Sequence, residues 1–192
     1  MRYITDMMSE QFRFKCIVTA LVLALGFSQP LVAQTDRLDQ LFEELLQADE
    51  QTTTAIERQI IAEWGKSGSP SIDLLMRRGK DALDDGAPDA ALDHFSALVD
   101  HAPEYAEGYY HRATSFYLLD EIGPAIADLG EVLSRNPRHF EAMRGLAVIM
   151  EELDRPAEAL DLYRMILDIV PQSPQARAEV ARLHQQLEGL AI

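Results

Sequence analysis

The chain has 192 residues, 47% of them hydrophobic and 26% charged, with a formal net charge of −15 at pH 7. That balance supports a packed core and excludes a disordered chain. The acidity excludes nucleic acid and anionic membrane surfaces as favoured partners, because both repel a chain of this sign.

In chain order, residues 1–33 read as a cleavable export signal. Arg13 and Lys15 precede the apolar run CIVTALVLALGF, 12 residues long, too short to span a bilayer and of the length of a signal core. Ser28, Gln29 and Pro30 break that run, and Val32 and Ala33 offer a small-residue cleavage site before Gln34. Asp6 and Glu10 lie ahead of the run, so Met1, Met7 and Met8 are all candidate starts. Cys16, the one cysteine, follows RFK rather than the small apolar residues that precede a lipidated cysteine. Cleavage near Ala33 leaves a chain with no thiol chemistry and no disulfide. The alternative is retention of the segment as an inner-membrane anchor.

Residues 35–70 read as a helical pair and linker. Leu38, Leu41, Phe42, Leu45 and Leu46 recur at amphipathic helical spacing, and Ile56, Ile60, Ile61 and Trp64 suggest a second helix. GKSGSP, 65–70, is a flexible joint.

From residue 72 a fixed period takes over. Pro103, Pro137 and Pro171 are 34 residues apart. The same step joins Gly79, Ala113, Ala147 and Ala181, then Ala91, Ala125 and Ala159, then Phe95, Leu129 and Tyr163, then Leu98, Val132 and Ile166. Each column keeps its residue type, which a chance match does not. Within 72–105, Leu75, Gly79 and Ala82 form one helical stripe and Ala91, Phe95 and Leu98 another. Gly86 ends the first helix, Pro88 opens the second, and Pro103 stops it. Small residues at 79 and 91 let the two helices approach, and Phe95 fills the space to the next pair. The layout recurs at 106–139, with EIGP (121–124) as inner turn, and at 140–173, with LDRP (153–156). One such hairpin cannot bury its apolar face alone; about three stacked copies can. Residues 174–192 suit a closing helix with Val180, Ala181 and Leu187 inside and Arg177, Arg182, His184 and Gln185 outside.

These columns resemble the tetratricopeptide repeat (TPR) family, whose helix-turn-helix unit runs bulky, small, bulky on its first helix, then small, large, apolar on its second, then proline. Here that reads Leu75, Gly79, Ala82, Ala91, Phe95, Leu98, Pro103; Tyr109, Ala113, Phe116, Ala125, Leu129, Val132, Pro137; and Met143, Ala147, Met150, Ala159, Tyr163, Ile166, Pro171. Ala82 is small where a large residue is usual, and Arg78 and Arg112 are further departures. The resemblance implies an all-α solenoid of three repeats (72–105, 106–139, 140–173) flanked by a degenerate N-terminal pair and a C-terminal cap. Stepping back by the same period from Leu75, Gly79, Phe95 and Leu98 lands on Leu41, Leu45, Ile61 and Trp64, so the pair looks like a decayed repeat, with Trp64 packed under the first intact one. Glu57 stands where a small residue belongs, and Pro70 falls one place late.

No catalytic motif is legible. His94, His101, His111, His139 and His184 form no helical zinc pair, and there is no phosphate loop or nucleophile elbow. Asp84-Asp85 and Glu151-Glu152 are adjacent acids at helix ends. An enzyme would need a polar pocket between the N-terminal helices and the first repeat. No catalytic residue, cofactor or metal is expected. The resemblance instead implies a peptide groove on the first helices, lined by Met76, Lys80 and Leu83, then Tyr110, His111, Thr114 and Tyr117, then Arg144, Val148 and Glu151. Tyr110 and Tyr117 are two helical turns apart and share a face; with Lys80 and Arg144 they suit an extended peptide carrying an acid. The places where chaperone-clamping repeats carry lysine and asparagine hold Met76, Lys80, His111, Glu141 and Gly145, so that clamp is absent. The expectation is a non-catalytic adaptor or assembly factor of the bacterial periplasm that binds a protein or peptide. A membrane-retained tether of an envelope complex is the alternative.

Overall fold

The computed structural model describes residues 29–190, so the expected signal core lies outside the described residues. The described residues fall into two units that divide between Gln40 and Leu41. Among the described residues there are nine α-helices and no strand: α1 (Gln29–Gln47), α2 (Glu50–Trp64), α3 (Pro70–Asp84), α4 (Pro88–His101), α5 (Ala106–Leu118), α6 (Ile122–Arg135), α7 (Phe140–Glu152), α8 (Pro156–Ile169) and α9 (Pro174–Leu190). None of them is long and apolar enough to cross a membrane.

In the second unit α3–α4, α5–α6 and α7–α8 are antiparallel hairpins stacked in order, with α9 closing on α8. The columns explain why. Gly79, Ala113 and Ala147 are buried at the helix crossings, as are Ala91, Ala125 and Ala159. A Cβ on Gly79 would lie 2.4 Å from the Phe95 ring, so only glycine fits there. Phe95, Leu98, Ala91, Ile72 and Met76 form the first core cluster.

The inner turns share one backbone solution. Gly86, Asp120 and Asp154, again one period apart, take left-handed φ values of 71°, 60° and 56°. In each, the next amide reaches back five residues: Ala87 to Ala82 O, Glu121 to Phe116 O, Arg155 to Met150 O, all at 2.8 Å. This is the Schellman closure of a helix C-terminus. It moves one expected turn. EIGP is mostly helix, with Gly123 and Pro124 in the first turn of α6, because the reversal is already complete at Asp120.

Two further expectations need correction. On α9 the buried residues are Ala176 and Leu183, with Val180 half-buried between them, whereas Ala181 is exposed. α9 packs on α8, and its buried stripe is not the small-residue column. The N-terminal pair also departs from a repeat. α2 is capped by the Asp49 carboxylate, which accepts from Thr52 N–H at 2.9 Å, and buries Thr53, Ile60 and Trp64, while Ile61 is 37% exposed. Trp64 does not pack under the first hairpin. Its ring stacks on His139 at 4.3 Å and meets Phe140 at 5.0 Å, at the junction of the second and third. The cause is Glu57: a carboxylate cannot sit unpaired in the dry crossing that a repeat keeps for alanine, and α2 turns it toward Arg144 instead.

Candidate functional site

α5 and α7 run side by side as first helices of the second and third hairpins, and between them lies a cavity of about 270 Å³. Its walls are Tyr110, Thr114 and Tyr117 from α5 and Glu141, Arg144 and Val148 from α7; Ala113, Leu129, Gly145 and Ile149 line the remainder. Five candidates from the groove pattern thus converge: Tyr110, Thr114, Tyr117, Arg144 and Val148. The helical spacing of the three α5 residues places them in line, and the small Ala113 and Gly145 leave the space open.

The groups differ in what they can offer. Thr114 Oγ1 donates to Tyr110 O at 3.0 Å and is used internally. Tyr117 donates to Glu152 Oε1 at the mouth. Burial, with Glu141 and Glu107 nearby, pushes the Tyr110 phenol up to about 12, so it stays a neutral donor. Val148 is exposed and gives an apolar lip. Arg144 is the cation among the lining residues. It pairs with Glu141, and its Nη2 lies 3.9 Å from Glu57 Oε1 of α2. Among the described residues neither Glu57 Oε1 nor Arg144 Nε, both buried, has a hydrogen-bond partner. Burial raises the Glu57 carboxyl; Arg144 opposes this and Glu141 adds to it. The arrangement is a half-dry slot with phenols, aliphatic contacts and one incompletely satisfied guanidinium.

The other five candidates lie elsewhere: Leu83 packs against the first core cluster, Glu151 pairs with Arg182, and Met76, His111 and Lys80 are placed as follows. Met76 is buried in the first core cluster with Ile72, Ala91, Phe95 and Leu98, so it is not a groove residue: the buried stripe of α3 is Ile72, Met76 and Gly79, one position round from the expected one. His111 stacks on Phe95 at 5.3 Å; desolvation lowers its pKa to about 4 against the pull of Glu107, so it is a neutral core imidazole. Lys80 lines a second cavity of about 290 Å³ with Ile61, Trp64, Gly65, Glu107, Tyr110, His111, His139 and Glu141.

That second cavity lies where an enzyme was expected to need one; it is open, with titratable side chains set in a mostly apolar lining. Its acid–base groups are turned on each other. His139 Nδ1 accepts Ala142 N–H at 3.1 Å, capping α7, so Nε2 carries the proton and donates to Glu107 Oε1 at 3.0 Å. The lining holds no serine, threonine or cysteine to activate, and among the described residues no cluster of three or more His, Cys, Asp or Glu could hold a metal ion. The Glu107–His139 pair has no sequence signal, since its 32-residue separation belongs to no column.

The tetratricopeptide repeat model matches residues 76–127 and 122–174. A TPR repeat-containing protein of Rhizobium etli is 34% identical over 154 residues, 80% of this chain and 76% of its own. Small glutamine-rich tetratricopeptide repeat-containing protein 2 of Saccharomyces cerevisiae is 26% identical over 95 residues, 50% of this chain but only 28% of its own length. Among solved structures, the first TPR of Spaghetti bound to the HSP90 peptide SRMEEVD aligns with TM-score 0.57 at 21% identity, covering 61% of this chain and 93% of that one. MamA aligns with TM-score 0.57 at 20% identity, covering 72% and 82%. At these identities the structural likenesses speak for fold alone. Periodic columns buried as hairpin cores, hairpins stacked in order, a family model spanning half the chain and a relative at one-third identity lead to one assignment: the chain belongs to the tetratricopeptide repeat family.

Proposed function

We propose that the chain is a non-catalytic adaptor or assembly factor of the bacterial cell envelope that binds a protein or peptide in the cavity between α5 and α7. The observation that carries this reading is the convergence of Tyr110, Tyr117, Arg144 and Val148 on one open slot. Tyrosine and arginine are the residues favoured at binding hot spots, and the slot is large enough for one or two side chains. A ligand residue with an apolar body fits against Val148 and Leu129, and an acid beside it meets Arg144. Because Met76, Lys80, His111, Glu141 and Gly145 replace the chaperone clamp, the partner is not a chaperone tail. The export signal read in residues 1–33 supports the envelope as the place of action.

The test is capture of partners from envelope extract by the full chain and by a Tyr117→Ala, Val148→Asp double variant shown by circular dichroism to be folded. A partner held by the first and lost by the second is the expected result. A partner held equally by both moves the site away from the cavity. Fractionation of the same cells tests the location: a soluble protein beginning near Gln34 is expected, and membrane retention of the intact chain makes the tether the correct reading.

A further inference from the structure

The first helices of the hairpins are not bare. α2 lies against them with a defined pair of side chains. Glu57 and Trp64 are seven residues apart, two helical turns, and so project from one face of α2. Trp64 stacks on His139 and Phe140, and Glu57 reaches Arg144, the same guanidinium that lines the α5–α7 cavity. The chain thus supplies an acid of its own to the cation of its candidate site.

We infer that this surface is built to take a partner helix carrying a carboxylate and, two turns later, an aromatic ring, and that α2 is the detachable segment that holds its place. The inference rests on the binding reading above and specifies both the partner's chemistry and its control. Three observations carry it. The docked contact is incomplete: the Glu57–Arg144 pair stands at 3.9 Å, and one buried polar atom on each side lacks a hydrogen bond. Burial raises the Glu57 carboxyl rather than easing its charge. A partner carboxylate placed at hydrogen-bond distance recovers what this pair leaves unmade. The second observation is the joint. Residues 65–69 connect α2 to α3, with Gly68 at φ 72° and open space around it; the joint is tied locally, by Ser67 to Ser69 and Asp73, so a movement of α2 there leaves every hairpin intact. The third is the first core cluster: Ile72, Met76, Ala91, Phe95 and Leu98 come from α3 and α4 alone, and the buried Thr53, Ile60 and Trp64 of α2 are not part of it. The α2 helix and a partner helix cannot hold Arg144 and the His139 ring together, so binding is competitive and the free chain is self-restrained.

The experiment uses a labelled peptide of residues 50–64 as probe. It is added to the full chain and to a full-chain Glu57→Gln, Trp64→Ala variant whose own α2 cannot dock. Binding to the variant at least tenfold tighter than to the unaltered chain is expected, as is loss of that binding when Arg144→Ala is added. Binding to neither folded chain, or equal binding to both, overturns the inference. A measurement on the unaltered chain guards against a variant that fails to fold. Amide exchange of 50–64 at least a hundredfold faster than that of α7 is expected if α2 opens alone, since a freed helix this short does not hold its own hydrogen bonds. Equal protection of the two helices marks α2 as a fixed part of the core. None of these readings uses the cellular partner, so a negative capture with Tyr117→Ala, Val148→Asp and a negative peptide result remain separate findings.

Discussion

Arg112 and Asp128 are the clearest case of one residue depending on another. Arg112 donates from Nε to Asp128 Oδ2 at 2.6 Å and from Nη2 to Oδ1 at 2.8 Å, across the second hairpin. The guanidinium also lies over Tyr109 at 5.4 Å. Asp128 is nearly buried, so removing the arginine strands a carboxylate away from water. Arg112→Ala is expected to cost about 2–3 kcal/mol, read from the denaturant midpoint; replacing both residues by apolar ones of similar size costs less. His111 works in the opposite sense. Its folded pKa of about 4 lies below the 6.5 of a free imidazole, so the unfolded chain binds the extra proton between those values. Stability therefore falls as pH drops from 6.5 toward 4, by up to about 3 kcal/mol, and His111→Phe flattens that slope. In the sequence Arg112 shows only as a departure from the repeat pattern. Its partner is invisible there, because a 16-residue separation across a turn is not a periodic relation.

At the scale of the element, the turns and crossings decide stability. Gly86 pays no steric penalty for its left-handed backbone, but Asp120 and Asp154 hold the same conformation with a Cβ present. Asp120→Gly and Asp154→Gly are each expected to raise stability by about 0.5–1 kcal/mol. Two glycine substitutions give a matched contrast. Gly130 lies within α6 with nothing near its Cβ position, so Gly130→Ala gains about 0.5–1 kcal/mol of helix propensity. Gly79→Ala gains the same propensity but drives a methyl into the fully buried Phe95 ring, and a net loss of about 1–2 kcal/mol is expected. Thermal melts of the four variants check all of these. The helices and their crossings were legible because burial forces small and large residues into repeating columns. The inner turns were legible where glycine ends the first helix, at Gly86, or proline opens the second, at Pro88 and Pro156. Aspartate tolerates the left-handed region well enough to hide the same turn at Asp120, and the glycine and proline of EIGP drew the boundary too late.

Across the whole of the second unit, the stacked hairpins follow from nearest-neighbour burial, which a single period records. The docking of α2 does not. Glu57 was visible as a break in the small-residue column, but its destination on Arg144 and that of Trp64 on His139 depend on how the 65–69 joint directs the helix, and no local pattern encodes that. The docked pair carries a pH signature of its own. Burial raises the Glu57 carboxyl above the ordinary 4.5 in the docked state, and an undocked α2 returns it to water. Docking therefore takes up a proton as pH falls through the raised value. The docked state gains on the undocked one until pH passes below 4.5, and the gain is lost again as pH rises. Arg144 stays charged throughout, and Glu141 is present in both states, so Glu57→Gln removes the dependence. Trp64 is the only tryptophan, and its emission reports docking directly because its ring leaves the His139 stack when α2 opens. As pH falls from neutrality toward 4.5, Trp64 emission in the full chain is expected to move toward the docked signal, and in Glu57→Gln to stay flat. Amide exchange of α2, corrected for intrinsic rates, should slow over the same interval. If the emission of both chains moves together, the titrating group is not Glu57, and the restraint on the pocket is set by the His139 stack rather than by the acid.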